Sequence, residues 1–521
     1  MAEGTNLGLD FVAGSGLAKL ELYGDWYRDP WGWPELTGPD FHTIEPGDLG
    51  IRKASGEYHL QVRPFFHLIE VPKSWLGVRP AVVQDPLTRL AYLSAVNAGI
   101  SKFGAELPDW VFGWRAREDG SFAANGGEWA NYVANLPDSE GPGFGLQTDL
   151  TSFFASVRPS RLAPVVFERL GRVAAAHVIM DVVRAHDALS TRSGLPQRSF
   201  GSAILANAVV QPIDDALASA LNDGEIGPVR RWMDDISAEG PEDALYSLLL
   251  KLQESARQVG LEINSSKTRI VPVADAATHL RLEDLREIEV PVIRNEYSGD
   301  EDEEFDMDDL IRLEDRVLKD PRRVPQVIIR AILKSLTKYQ VFDRRAEWQA
   351  NVGYIPHGAD SFGRYLRGAG EGDPALWGDL SVWFREFEGT AWSQLDWVSA
   401  QVALAFPTSQ LQEPVLEVLR DWLETSNNLQ KIAIAAQRIA ALRPTLCRST
   451  IRARVDRTGD PLVLRLFALG LLSAGENWAA VEEVLKRDER NMLLLRWLRK
   501  NQWKSPTVVK DFDTQELAGS P

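Results

Sequence analysis

The pattern of apolar and polar positions changes near residue 300. Before that point, strand-like runs at 58–62, 68–71 and 269–273 stand among helical runs such as 161–172 and 244–259. This mixture predicts an α+β region. After that point the apolar positions recur with helical spacing in segments joined by short connections: LQEPVLEVLRDWLE, NLQKIAIAAQRIAALR, DPLVLRLFALGLLSAG, WAAVEEVLKRD and NMLLLRWLRKNQW.

Proline and glycine stand where the ends of these helices are expected. Pro414 and Pro461 fall near helix starts, whereas Pro444 and Gly475 follow helix ends. Successive amphipathic hairpins cannot bury their apolar faces alone, so the segments predict a stacked, HEAT-like helical repeat. A compact helical bundle is the competing arrangement.

The two regions are separated by an acidic stretch, SGDEDEEFDMDD, which has almost no large apolar residues. We therefore expect a mixed domain at 1–295, an acidic linker at 296–309 and an α-helical repeat domain at 310–521. With 521 residues, 44% of them hydrophobic and 25% charged, the chain has ordinary globular composition.

Cysteine content and hydropathy bear on the cellular location. A single cysteine, Cys447, excludes an intrachain disulfide and a thiolate zinc site, as is usual in a reducing cytosol. The start, MAEGTNLGLD, lacks a basic and apolar signal sequence, and no apolar stretch of about 18 residues follows. These features predict a cytoplasmic protein without a membrane segment.

The net charge of −17 argues against nucleic-acid binding if the whole chain is taken together. However, residues 51–100 and 151–200 are locally rich in arginine and lysine, and a cleft can concentrate their field. Solvated helix faces are the alternative explanation for these two windows.

Four segments with distinct composition follow one another at intervals of about 30 to 50 residues. GFGLQTDLTSFFASV delivers Asp149 after an apolar run, and GLPQRSFGSAILANAVVQPID is a Gly-Pro turn that leads into a helix. VRRWMDDIS places Asp234 and Asp235 at the tip of a hairpin, and GLEINSSKTRIV places Lys267 on a turn before a strand. Each segment alone has an ordinary structural explanation. Their joint occurrence in this order indicates one shared site.

In these four segments the chain resembles the reverse transcriptases, whose palm motifs A, B, C and D occur in the same order. The stretch VPKSWLGVRPAVVQDPLTRLAYLSAV is similar to the fingers of retron-type and group II intron-type enzymes. The resemblance covers about residues 50–275 and implies a right-hand polymerase core of palm and fingers. The helical C-terminal region is similar to the repeats of bacterial abortive-infection and other phage-defence reverse transcriptases.

The acids can be interpreted without the family. Nucleotidyl transfer uses two divalent ions, and carboxylates from separate segments can hold them. We expect Asp149 and Asp234 to be the principal metal ligands, with Asp235 as a less direct one. Carboxylates about 4 Å apart repel by about 4 kcal/mol per pair at an effective dielectric near 20, so such a cluster needs cations. Oxygen ligands and a phosphate substrate favour Mg²⁺, with Mn²⁺ as a substitute.

The resemblance also implies roles for further residues. Phe154 would pack beneath the sugar and exclude a 2′-hydroxyl, whereas Phe153, taken to lie on the same strand, would face the core. Gln197 and the turn at 194–196 would line the nucleotide and the templating base. Arg79 would neutralise the triphosphate.

Two lysines complete the expected set. Lys73 is a further candidate for the charge role of Arg79. Lys267 matches the lysine thought to protonate the pyrophosphate leaving group, a general-acid role.

The function implied by the resemblance is DNA synthesis from deoxynucleoside triphosphates in bacterial antiphage defence. Template-independent synthesis, protein priming from a tyrosine and homo-oligomers are implied by the abortive-infection group alone. The alternatives are an RNA-templated reverse transcriptase that works with a noncoding RNA, and a polymerase-fold scaffold without activity.

Two features depart from the family pattern, and one class of site lacks support. Trp232 and Met233 precede the acid pair where relatives carry Tyr or Phe and a small residue, and Arg198 stands where most relatives have glycine. The seven histidines show no metal-ligand spacing along the sequence.

Overall fold

A computed structural model of the chain describes residues 9–23, 26–37, 41–54, 57–104, 107–115, 127–128, 131–132, 143–273, 307–509 and 512. The fold is mixed α/β, and its C-terminal region consists of helices. Of the predicted acidic linker, 296–306 lies outside the described residues, whereas 307–309 form the first turn of a helix. Within the described parts, no helix has both the length and the apolar character needed to cross a membrane.

Two antiparallel hairpins precede the main sheet. The first pairs β1 (Ile51–Ala54) with β2 (Glu57–Leu60), and the second pairs β3 (Phe66–Pro72) with β4 (Val78–Gln84). The middle of β3 alternates between buried and exposed side chains, because successive residues of a strand point to opposite faces. The second hairpin therefore keeps one face on the core and one face open.

A five-stranded sheet forms the centre of the N-terminal half. Its strands are β5 (Val111–Phe112), β6 (Phe144–Thr148), β7 (Val229–Trp232), β8 (Asp235–Gly240) and β9 (Arg269–Pro272). Their order across the sheet is β5-β7-β8-β6-β9, with β5 parallel to β7 and the other pairs antiparallel. The end of β6, the β7–β8 turn and the start of β9 consequently meet at one end of the sheet.

Helices surround this sheet and the second hairpin. They are α1 (Phe11–Tyr23), α2 (Pro34–Thr37), α3 (Pro86–Asn97), α4 (Ile100–Gly104), α5 (Phe153–Ser156), α6 (Pro159–Leu170), α7 (Ala174–Asp187), α8 (Phe200–Val209), α9 (Gln211–Asn222) and α10 (Glu242–Gln258). Helix α10 buries Leu245, Leu248, Leu252 and Ala256, a stripe at helical spacing that packs against β6, β8 and β9. Helix α7 packs against α3 and β2.

The C-terminal region stacks its helices in rows. They are α11 (Met307–Lys319), α12 (Gln326–Lys338), α13 (Arg345–Asn351), α14 (Ala359–Gly372), α15 (Leu376–Glu388), α16 (Asp396–Ala403), α17 (Glu413–Thr425), α18 (Leu429–Leu442), α19 (Pro444–Val455), α20 (Pro461–Ser473), α21 (Trp478–Lys486) and α22 (Met492–Lys500). Alternate helices touch: α12, α14, α16, α18 and α20 form one row, and α15, α17 and α19 form a second. In the first row, α18 and α20 are buried around most of their circumference.

The predicted elements agree with the structure in type. The helical runs at 161–172 and 244–259 correspond to α6 and α10, with ends shifted by two residues or fewer. The predicted strands correspond to β2, β3 and β9, and the five quoted C-terminal segments correspond to α17, α18, α20, α21 and α22.

The N-terminal segment is held against the helical region by a buried charge cluster. Arg465 of α20 bonds to the carboxylates of Asp29 and Glu35, and all three side chains are almost fully excluded from solvent. His67 of β3 reaches Asp460 at 2.6 Å. A single set of contacting buried apolar residues runs through both regions.

Candidate active site at one end of the central sheet

The three predicted metal-binding acids meet at the end of the sheet where β6 stops. Asp149 is the first residue after β6, and the backbone N–H of Leu150 donates to the carbonyl oxygen of Asp234 (3.2 Å). Asp234 lies in a two-residue turn between β7 and β8, and Asp235 begins β8. Met233 takes a left-handed φ of 55°, as tight hairpin turns require. The acid pair therefore stands at a hairpin tip, as predicted.

The carboxylates at this end of the sheet repel one another. Asp149 is buried, and its Oδ1 has no hydrogen-bond partner within the described parts of the chain. Burial raises the pKa of Asp234, and the charge of Asp149 raises it further. Asp235 is exposed at the turn, yet desolvation by the surrounding protein atoms, followed by repulsion from Asp234, raises its pKa to about 7. The site carries negative charge that calls for a cation.

Lys267 supplies part of the counter-charge. The turn that carries it is built on Asn264, whose backbone N–H donates to the Asp149 carbonyl (2.8 Å) and whose side-chain oxygen accepts from Ser266. The Lys267 ammonium group bonds to Oδ2 of Asp149. Partial burial lowers the pKa of Lys267, but this bond and the neighbouring carboxylates outweigh it and raise the pKa overall.

The β3–β4 hairpin brings two further cations near the acids. Lys73 lies exposed at the hairpin tip, and its charge lowers the pKa values of both Asp234 and Asp235. Burial lowers the pKa of Arg79, Arg330 of α12 lowers it further, and Asp234 opposes them. Arg79 thus lies within electrostatic range of both the acid pair and the helical region.

The helical region adds positive charge beside Arg79. Arg330 pairs with Asp360 of α14 (2.9 Å), and Arg364 approaches the same carboxylate at 3.8 Å. Burial lowers the pKa of Arg364 to about 10; Asp360 opposes this, whereas Arg28 and Arg330 add to it. The Nε atoms of Arg330 and Arg364 are buried without a hydrogen-bond partner in the described structure. This arrangement favours an anionic ligand, such as a phosphate group, near Arg79.

Phe154 lies on a helical turn, which corrects the expectation that it follows Asp149 along a strand. After Asp149 the chain pairs with the 262–264 segment, and Ser152 then takes a left-handed φ of 47°, which ends the extended conformation and starts α5. Phe153 is buried in the core, as expected, although for this different reason. Phe154 is half-buried, and its ring centroid lies 5.3 Å from that of Phe153.

The turn that precedes Gln197 rests directly on this helical turn. The backbone N–H of Leu195 donates to the carbonyl of Phe154 (2.9 Å). Gly194 has a φ of 64°, and a Cβ there would collide with the carbonyl oxygens of Phe154 and Ala155. Glycine is therefore required at this position. Gln197 is half-buried at the end of the turn.

The residues that depart from the family pattern have structural partners. The Trp232 ring lies against Gly113, since a Cβ added to that glycine would be only 3.3 Å from the ring. The ring centroids of Trp232 and Tyr132 are 5.8 Å apart. Arg198 is exposed, with its guanidinium 5.0 Å from the centre of the Trp26 ring. Arg198 also has a φ of 61°, a conformation that glycine adopts without strain.

The sequence did not identify Arg231, whose side chain supports the turn that carries Asp234. Arg231 of β7 is fully buried and makes two 2.7 Å bonds to Asp214 of α9. It also donates to the Asn207 side chain (2.9 Å) and to the Met233 carbonyl (2.8 Å) inside the acid turn. Two adjacent arginines in a short strand between apolar residues are a signal for buried partners, but nothing in the sequence identifies Asp214 as the partner of Arg231.

A second missed arginine joins the Gly194 turn to the β3–β4 hairpin. Arg192 is buried and donates to the carbonyl oxygens of Ala81 (3.1 and 3.0 Å) and Ile69 (3.0 Å). The hairpin that carries Arg79 is thereby held next to the turn that carries Gln197.

Comparison with known proteins provides no identification. The chain matches no protein-family model. It also matches no curated protein. Its function is therefore inferred from its own residues.

Proposed function

We propose that the protein is a DNA polymerase of the reverse-transcriptase type that adds deoxynucleotides by two-metal phosphoryl transfer. One observation carries the proposal: Asp149 and the Asp234–Asp235 pair, from distant parts of the chain, share one end of one sheet. In this proposal the central sheet is the palm, the β3–β4 hairpin and α3 belong to the fingers, and the C-terminal rows are a HEAT-like repeat domain.

The acid site fits magnesium. Its donors are carboxylate oxygens, one of which is buried and has no partner among the described residues. Burial, and then repulsion between carboxylates, raises the pKa values of Asp234 and Asp235. Asp149 and Asp234 would hold Mg²⁺, or Mn²⁺ in its place, with Asp235 less direct. Such ions activate the attacking hydroxyl and neutralise the triphosphate and its leaving group. Lys267 must release Asp149 as an ion binds, and its side chain, 54% exposed, has room to turn outward.

The surrounding residues support roles toward a deoxynucleoside triphosphate. Arg79 and Lys73 face the acids from the hairpin and would neutralise phosphate oxygens. Lys267, once released from Asp149, would protonate the pyrophosphate as it leaves.

Two further residues would bind the sugar and the base. Phe154 would pack beneath the sugar, with its helical turn held in place by the Gly194 turn. Gln197, at the end of that turn, would contact the nucleotide and the templating base.

The test is incorporation of labelled deoxynucleotides by the purified full-length protein in Mg²⁺. Asp149→Asn and Asp234→Asn keep the side-chain shape but remove the charge, so each should abolish incorporation. Asp223→Asn, at an exposed position after α9, is the matched control and should retain it. Unchanged incorporation by the first two variants would reject the assignment.

The same assay with and without nuclease-treated template separates the alternatives. Random or homopolymeric DNA made without template supports template-independent synthesis, whereas a product complementary to added RNA supports a templated enzyme that works with an RNA partner. A wild-type protein that makes no product under either condition would favour the inactive scaffold. Antiphage defence, tyrosine priming and homo-oligomers are supported by the family resemblance alone.

A further inference from the structure

A second group of metal-ligating side chains lies where the first hairpin meets helix α7. Glu57 and His59 stand two residues apart on β2, so their side chains point to the same face of the strand. His177 and Asp181 stand four residues apart on α7, one above the other on the same helix face. Folding brings together His59 and His177, which the sequence separates by more than a hundred residues.

The ligand atoms converge on one carboxylate oxygen. Oε2 of Glu57 lies 3.9 Å from Nε2 of His59 and 3.7 Å from Nδ1 of His177. One ligand atom from each of the three residues lies within 4.8 Å of the others. Tetrahedral zinc with bonds of roughly 2.0–2.1 Å holds neighbouring ligands roughly 3.3 Å apart. The ligand atoms are therefore roughly 0.4 to 1.5 Å farther apart than they would be around zinc. Small side-chain rotations can close this difference.

The imidazole of His177 makes no hydrogen bond to the residues that the structure describes. This side chain is 4% exposed, and its Nε2 has no partner within the described parts of the chain. The 3.7 Å contact of its Nδ1 with Glu57 is longer than a hydrogen bond. Within the described structure Nδ1, which lies 3.7 Å from Glu57, is therefore available to bind an ion, and Nε2 then carries the ring proton.

Asp181 orients His59 for the same task. Its Oδ2 lies 3.3 Å from Nδ1 of His59 and accepts the backbone N–H of Leu60 at 3.0 Å. A proton on Nδ1 that is donated to Asp181 leaves the lone pair of Nε2 directed at Glu57. A carboxylate behind a histidine in this way is the usual support for a metal-bound imidazole. The other oxygen of Glu57 is held by the exposed Arg172 at 2.9 Å, so Oε2 remains for the cluster.

We propose that Glu57, His59 and His177 bind one Zn²⁺ ion, with Asp181 as the carboxylate that orients His59. Two imidazoles and one carboxylate suit zinc rather than magnesium, which prefers oxygen ligands. Glu57 and His59 are 39% and 35% exposed, so a water molecule can reach the remaining coordination position.

The ion ties β2 to α7, and α7 leads to the Gly194 turn. At the end of α7, the His186 ring bonds to the carbonyl oxygen of Gly194 (2.9 Å), and the Asp187 carboxylate accepts the backbone N–H of Gly194 (2.8 Å). Zinc therefore stabilises the helix on which this turn is anchored. The proposed zinc site does not depend on the proposed polymerase function.

The experiment is zinc titration of the full-length protein by calorimetry, after chelator treatment and with excess Mg²⁺ to occupy the acid site. We expect one Zn²⁺ per chain and a rise of a few degrees in the unfolding midpoint. Co²⁺ in place of zinc should give the visible absorption of a tetrahedral nitrogen–oxygen site. The single thiol, Cys447, is buried in α19 and contributes no ligand.

Variants distinguish the cluster from adventitious uptake. His59→Ala and His177→Gln should weaken zinc binding at least 100-fold, and Asp181→Asn about 10- to 100-fold. His42→Ala, at an exposed position on a separate 3₁₀ turn, is the control and should bind as the wild type does. His59 is partly exposed, so its replacement should leave the fold intact even if the buried His177 variant unfolds. No uptake by the wild type, or unchanged affinity in His59→Ala, would overturn the proposal.

Discussion

Replacing Arg231 with methionine tests whether the acid turn depends on the buried arginine behind it. The variant retains much of the side-chain volume but removes both bonds to Asp214, the bond to Asn207 and the bond to the Met233 carbonyl. Asp214 is 4% exposed and would keep a carboxylate without its cation. The acid Asp234, one residue after Met233, would lose the support of its turn.

The cost follows from the burial of this ion pair. Removing one partner of a buried pair costs about 3 to 5 kcal/mol, because the other charge stays desolvated. The lower end is the better expectation, since burial already raises the pKa of Asp214 and the side chain can take up a proton instead. Replacing both partners, in Asp214→Leu with Arg231→Met, should recover most of the free energy of unfolding.

The assay is urea unfolding followed by tryptophan fluorescence, with nucleotide incorporation measured on the same preparations. The double variant should regain stability but stay poor in incorporation, because the Met233 carbonyl still lacks its donor. Arg230→Met is the matched control: its partner Glu239 is 20% exposed, so water can solvate the remaining charge and the loss should be smaller. A loss below about 1 kcal/mol in Arg231→Met, or full incorporation by the double variant, would refute the reasoning.

Substitutions at three further positions, with their controls, have defined outcomes. Gly194→Ala should lower the unfolding midpoint by several degrees, because its Cβ would collide with a backbone carbonyl; Gly224→Ala, also at positive φ but with open space around it, should cost much less, and equal losses would contradict this explanation. Lys267→Met should lower incorporation by about 10²-fold or more, yet let Mg²⁺ act at lower concentration because Asp149 is freed; Lys267→Arg keeps the charge without a transferable proton and should also be slow, and normal rates in both would exclude proton transfer. Burial lowers the pKa of His186, so its contribution to stability is present above its ordinary value of 6.5 and is lost as pH falls. His186→Asn can still donate a hydrogen bond to the Gly194 carbonyl but does not titrate. Between pH 6.5 and about pH 5 the unfolding midpoint of this variant should therefore fall less than that of the wild type. Parallel falls of the two midpoints with pH would exclude a role of His186 in the pH dependence.

Local patterns were sufficient to predict several of the elements and the hairpin tip. The helical run at 244–259 was recognisable because its apolar residues repeat at helical spacing, and α10 buries that stripe. The acid pair was placed on a turn because short apolar segments flank it, and it lies between β7 and β8. These features depend on residues close together in the chain, so a single sequence contains them.

The position of Phe154 could not be predicted in the same way. An apolar run followed by two phenylalanines is compatible with a continuing strand, and the sequence reasoning extended β6 accordingly. After β6, Asp149 and Thr151 form backbone hydrogen bonds with the 262–264 segment, more than a hundred residues further on, and the left-handed Ser152 then ends the extended conformation. A backbone partner at that distance leaves no mark on the composition of the segment itself.

The partners of buried charged and polar groups follow the same principle. The cost of burying Arg231, His177 or Arg465 is set by which side chains the fold places around them, and a single sequence does not show which side chains those are. The carboxylates that bond to Arg465 lie in the N-terminal segment, and Glu57, which contacts His177, lies on the first hairpin. The histidines show no metal-ligand spacing along the sequence, yet the fold brings His59 and His177 close together. Ligands that converge through tertiary contacts need no spacing rule, and the proposed zinc site is of that kind.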